Sequence, residues 1–215
     1  MKKLDYLVHR IAPRVSGLPT PVILQHIYAS AREFCEKGDV WRDYTDSIDI
    51  KSGNQFLDIN LQSGVEIFRI KEVIVDGVRL QEISNDQALN YDPNYFNLSA
   101  ITGNPRYYVM VSADNVVLTP MPDKEVLGKT YVYTSLRPSY DDGVMPTDIL
   151  NEYDDVICDG ALRMLYLMKG EPFFDIELSR FHARRFVVGT TQANSSATAG
   201  NKKTGLRLNY NAFSF

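Results

Sequence analysis

Three histidines (His9, His26, His182) and two cysteines (Cys35, Cys158) are the side chains here best suited to nucleophilic, acid–base or metal chemistry. Their spacing does not use that potential. No HxxxH or HExxH pair occurs, the arrangement by which two histidines reach one metal ion from one helix face. The cysteines lie far apart and form no CxxC pair, so they predict buried reduced thiols rather than a disulfide framework or a zinc site. GxSxG, GxxxxGKS/T and GxGxxG are all absent. Carboxylates gather in "SYDDG", "EYDDV" and "DPNY". Adjacent aspartates at a helix start act as caps and dipole partners, and the DxDxDG spacing of a calcium loop is missing. A hydrolase site assembled from distant acids stays open. It would show as turnover lost on mutating those acids. The thirteen tyrosines fall mostly on predicted strands and in one long loop. Cross-strand packing explains them; the alternative is a carbohydrate-binding or adhesin surface. The reading is therefore of a protein that is not an enzyme, with no catalytic residue, no metal and no cofactor.

The elements around these residues follow from periodicity. Residues 3–12 read as a short helix ending before Pro13. In "TPVILQHIYASAREFCEKG", Pro21 suits the first helical turn and Gly38 the stop. Leu24, Ile27, Tyr28, Ala31, Phe34 and Cys35 recur at helical spacing. From Tyr44 the period falls to two. "SIDIKSGNQFLDINL" reads as a hairpin around SGN. "FRIKEVIVDGVRL" reads as a hairpin turning at Asp76-Gly77. "RYYVMVSADNVVLTPMP" turns at Asp114-Asn115, and "KTYVYTSLRP" is a further strand. Between them lies a polar, turn-rich stretch with one short helical turn. Helix returns at Pro146-Thr147, breaks at Gly170–Pro172, and resumes from about Phe173 to Thr190. In that last helix Phe174, Leu178, Phe181 and Val188 are expected to face the core.

The predicted fold is α+β: a helical bundle formed by N- and C-terminal helices, with an inserted antiparallel β domain and an extended C-terminal tail. The expected boundaries are 1–43 (N-terminal helices), 44–143 (β domain), 144–191 (C-terminal helical hairpin) and 192–215 (tail). The expected core joins Leu24, Ile27, Phe34 and Trp41 to Ile157, Leu165 and Phe181. No apolar run approaches the ~18–20 residues that span a membrane. Asp5, His9 and Arg10 interrupt any apolar leader at the N-terminus, so no signal peptide is expected.

Charge divides the chain. Residues 1–175 carry a net charge of −9, whereas residues 176–215 hold six Lys and Arg against Glu177 alone. Arg180, Arg184 and Arg185 complement a helix C-terminus. Beyond them the tail carries Lys202, Lys203 and Arg207 and a partly alternating run, Leu206, Leu208, Tyr210, Phe213 and Phe215. These residues are the expected partner-binding set. The tail is expected to dock as an extended strand outside its own subunit, with the three helical arginines extending the contact.

"LPTPVILQHIYASAREFCEKGDVW" resembles the N-terminal motif of phage head–tail adaptor proteins of the tail tubular protein A type, through Pro21, Ala31, Glu33, Phe34, Cys35 and Trp41. "VEIFRIKEVIVDGVRL" and "GNPRYYVMVSADNVVLTPMP" are similar to that family's two long hairpins. "MPTDILNEYDDVICDGALRMLYLMKGEPFFDIELSRFHARRF" is similar to its closing helical hairpin. The likeness covers roughly residues 5–190. It implies a structural virion protein made in the host cytoplasm and placed at the head–tail junction. It further implies a homo-oligomeric ring, commonly dodecameric, bound between the portal protein and a tail or nozzle protein. Genomic DNA would pass through its centre without sequence-specific binding, and no membrane would be involved.

Overall fold

The computed structural model describes residues 1–45, 47–97, 99–112 and 115–199. In chain order the elements are β1 (Lys2–Lys3), α1 (Val8–Ile11), α2 (Thr20–Gly38), β2 (Arg42–Tyr44), β3 (Ile48–Ile50), β4 (Phe56–Asp58) and β5 (Val65–Val75). There follow β6 (Val78–Arg79), β7 (Gln81–Glu82), α3 (Asn85–Tyr91), β8 (Thr102–Gly103), β9 (Tyr107–Met110), β10 (Asn115–Thr119) and β11 (Met121–Pro122). The last are β12 (Val126–Pro138), β13 (Val144–Met145), α4 (Thr147–Leu165) and α5 (Ile176–Thr198).

The architecture is mixed α/β, with five helices and four sheets among the described residues. It is not a helical bundle carrying an inserted antiparallel domain, and the expected fold class is corrected on three grounds. First, one continuous core runs from Leu4, Leu7 and Ile11 through the helices into the sheet at Ile67, Val73, Val132 and Leu136. A separate inserted domain would close its own core. Second, the sheets are not purely antiparallel: β7 pairs with β9, and β8 with β11, in parallel. Parallel neighbours need a long crossover, and the stretch containing α3 supplies one between β7 and β9. Third, α5 continues to Thr198, so residues 192–198 are helical rather than the start of an extended tail. The rest of the expected tail, from residue 200, lies outside the described residues.

The long strand β12 explains another departure. It offers both edges, one to β5 and the other to β2 and β3. β3 therefore joins β12 while β4 joins β10, and the hairpin expected around SGN does not form. Alternation marks a strand but does not name its partner. The register with β12 shifts twice, leaving Lys71 and Phe68 as extra residues that bend β5, and the sheet curls into a half-barrel. The Asp76-Gly77 hairpin does form, between β5 and β6, with both turn residues at positive φ. β9 and β10 also pair as expected, although Asp114 lies outside the described residues.

Helix α2 ties the layers together. One side packs on α4 and the other on β12. Arg32, 6% exposed, points toward the sheet: it pairs with Glu66 at 2.9 Å and donates to the Pro138 carbonyl at 2.8 Å. At the end of α2, Asp39 adopts a left-handed conformation and accepts from Lys71 and Ser135 at 2.6 Å each and from Arg42 at 2.8 Å. Burial pushes its carboxyl pKa up, but these hydrogen bonds outweigh it and hold the group below the ordinary carboxylate value. A depressed carboxylate contributes stability that is present above its unfolded value, about 3.9, and lost as the pH falls through the folded one. Asp39→Asn, which tolerates the same backbone, should lower the urea midpoint at pH 7 and flatten its fall below about pH 4. An unchanged acid limb would assign that fall to other groups.

Candidate interaction site

Helix α5 carries the charged and aromatic residues singled out in the sequence. Asp175 caps it, accepting from the Leu178 amide at 2.9 Å. The buried face consists of Ser179, His182, Phe186, Thr190 and Ala193. Phe181 is 52% exposed, and Phe174, Leu178 and Val188 are also exposed. The expected core face of this helix is thus corrected: those four side chains point outward. The other expected core residues do converge. Ile27, Phe34, Trp41, Ile157 and Leu165 are buried in the common core, with Leu24 half-buried against it.

The physical reason lies on α4. Gly160 has no side chain, so Phe186 and Ser30 close on it; a Cβ there would stand 2.1 Å from Ser30 Oγ and 2.6 Å from the Phe186 ring. Ser30 donates to the Ile157 carbonyl at 2.7 Å at the same crossing. The neighbouring Asp159 gives His182 its partner. Its Oδ1 lies 2.6 Å from His182 Nδ1, and its Oδ2 accepts from Arg185 Nε at 2.9 Å. Tyr166 stacks on the His182 ring at 5.6 Å. A polar histidine can then occupy the buried face, which leaves Phe181 outside.

Of the three arginines expected to bind a partner, two are engaged within the chain. Arg180 pairs with Glu177 at 2.8 Å. Arg185 pairs with Asp159 and lies over the Phe181 ring at 5.6 Å. Arg184 is exposed and has no carboxylate partner among the described residues. The outer face of α5 therefore presents Leu178, Phe181, Val187 and Val188 interleaved with arginines. Lys202, Lys203, Leu206, Arg207, Leu208, Tyr210, Phe213 and Phe215 lie outside the described residues.

A second feature was not foreseen. Where α2 leaves for β2, a half-open groove of about 470 Å³ runs between the starts of β2 and α4 and the last turns of α5. Trp41 and Tyr133 form its aromatic wall, Asp43, Asp148 and Glu152 its acidic rim, and Ala197 its far side. Tyr133 stacks on Tyr44, its cross-strand partner, at 4.6 Å. None of the three acids has a Lys or Arg partner among the described residues. Arg42, also in the wall, pairs with Asp39 and leaves its buried Nε without an acceptor. The only sequence signal was the lone tryptophan. Asp148 and Glu152 stand one turn apart on α4, and Asp43 joins them from β2 only on folding.

Burial pushes the Cys158 thiol up to about 12, and Cys35 further still. Both are protonated at neutral pH and poorly nucleophilic. Among the described residues no three His, Cys, Asp or Glu side chains gather as a metal-holding group, and no helix is long and apolar enough to cross a membrane. No family model matches the sequence, and no curated protein matches it.

Proposed function

We propose that this chain is a structural virion protein of the head–tail adaptor type, assembling as a ring between a portal and a tail with a central channel for DNA. The resemblance of its ordered motifs supports the reading, although the architecture departs from the bundle that resemblance implies. The observation that carries it is the outer face of α5. Apolar side chains about half exposed, interleaved with arginines, form a surface suited to a protein partner rather than to water. The rest of the chain is acidic, so a basic–apolar face on one copy is complementary to the body of the next. Such a heterologous contact, repeated around an axis whose rotation closes, builds a ring. An acidic body would also repel DNA phosphates, letting the duplex slide. Residues 200–215 would extend the contact to the neighbouring subunit or the portal.

Electron microscopy of the purified protein, alone and with its portal, tests this reading. Rings with a central channel are expected. Phe181→Glu with Val188→Glu should reduce assembly at least tenfold while leaving the circular dichroism spectrum unchanged. Particles that stay monomeric with the portal, or rings unaffected by both substitutions, would overturn it. A chain ending at Ala199 is the appropriate truncation, because Ala193 is buried and Asn194 donates to the Gly38 carbonyl at 3.0 Å.

A further inference from the structure

We infer that the groove beside Trp41 is the seat of residues 200–215 of the same chain before it assembles.

Three observations converge on that occupant. The first is position. The groove is walled by the last turns of α5, and Ala197 in that wall stands two residues before Ala199, the last described residue. Sixteen residues follow. At about 3.3 Å per residue they reach up to roughly 50 Å, several times what the groove requires. The first of them, Gly200, is the residue type that best allows a chain to turn back at a helix end. A segment tethered this closely is present at an effective concentration in the millimolar range.

The second is charge. Asp43, Asp148 and Glu152 line the groove, and the one base in it, Arg42, is held by Asp39. The segment carries Lys202, Lys203 and Arg207 and no acid. The third is surface chemistry. Tyr133 and Tyr153, both half-buried, offer aromatic area, with the buried Trp41 in the wall beside them, and the segment supplies Leu206, Leu208, Tyr210, Phe213 and Phe215. A volume of about 470 Å³ takes a few such side chains, not the whole segment. The buried Arg42 Nε, which lacks an acceptor, is a donor that an entering backbone carbonyl can satisfy.

A seat in the chain's own groove keeps an apolar, basic segment covered while the protein is free. Assembly would then exchange this seat for one on a neighbour. The inference concerns the free chain and needs no portal, so it stands or falls apart from the ring.

Trp41 is the single tryptophan of the sequence, and it reports on the groove directly. The experiment compares its fluorescence in the full chain and in the chain ending at Ala199, then titrates the shorter chain with a synthetic peptide of residues 200–215. The two chains should differ in emission, and the peptide should return the shorter one to the full-length spectrum. The full chain should bind the same peptide at least tenfold more weakly, because its groove is filled. Asp148→Asn with Glu152→Gln, both exposed positions, should weaken peptide binding to the shorter chain about tenfold, as should raising the salt from 0.05 to 0.5 M. Absence of peptide binding to the shorter chain would overturn the inference, as would binding unchanged by the double substitution. A full-length spectrum that changes on dilution would place the segment on another copy and overturn it equally.

Discussion

Replacing Phe186 by alanine should cost about 3–5 kcal/mol of stability, whereas the same truncation at Phe181 should change it by no more than about 0.5 kcal/mol. The two residues sit five positions apart on one helix and are identical in chemistry. They differ in what faces them. Phe186 is 1% exposed, with its ring against Gly160 and the Arg163 guanidinium 4.5 Å from its centroid. Removing it opens a cavity where α2, α4 and α5 cross. Phe181 stands in solvent beside Arg185. Urea denaturation of both variants at pH 7 checks the contrast. Equal losses would mean that α5 packs through a different face. A loss at Phe181 that appears only in assembled protein would instead be the signature of an interface.

The second large effect is expected at Asp159. Asp159→Ala removes the acceptor of a buried imidazole and the partner of Arg185 together, and should cost about 3 kcal/mol. Arg185 is half exposed and can turn to water, so most of the loss comes from His182, whose side chain is 4% exposed. Asp159→Asn keeps an acceptor oxygen at the same place and should recover part of it. Thermal melts of the three proteins at pH 7 measure the difference. If the alanine variant melts with the parent, the pair does not hold the helices together. A double variant, Asp159→Ala with His182→Leu, should regain stability, because it removes the unsatisfied donor and substitutes an apolar side chain for the ring.

Much of the local structure was legible one segment at a time. The bounds of α2 follow from Pro21 near its start and Gly38 at its end, and the apolar spacing between them names Ile27, Ala31 and Phe34 as core. The β5–β6 turn follows from Asp76-Gly77, because two consecutive residues with positive φ leave little choice of turn or sequence. These features depend on residues a few positions apart, and so does the physics that fixes them.

The burial of α5 could not be settled in that way. Its sequence offers two faces, a more apolar one through Leu178, Phe181 and Val188 and a more polar one through Ser179, His182, Phe186 and Ala193. Local spacing favours the first. The second wins because Gly160 lets Phe186 approach and Asp159 satisfies His182, and both belong to another helix. The same holds for β3 and β4, which alternate correctly yet pair with strands far along the chain. It holds again for the groove, where Asp43 on β2 reaches the rim that Asp148 and Glu152 already share on α4 only after the two elements have packed. Sequence by itself determined the bounds of α2 and the turn between β5 and β6, since backbone preferences and capping act locally. Tertiary structure alone decided which faces were buried and which acids met. Burial is a property of pairs of surfaces, and the partner surface is written elsewhere in the chain.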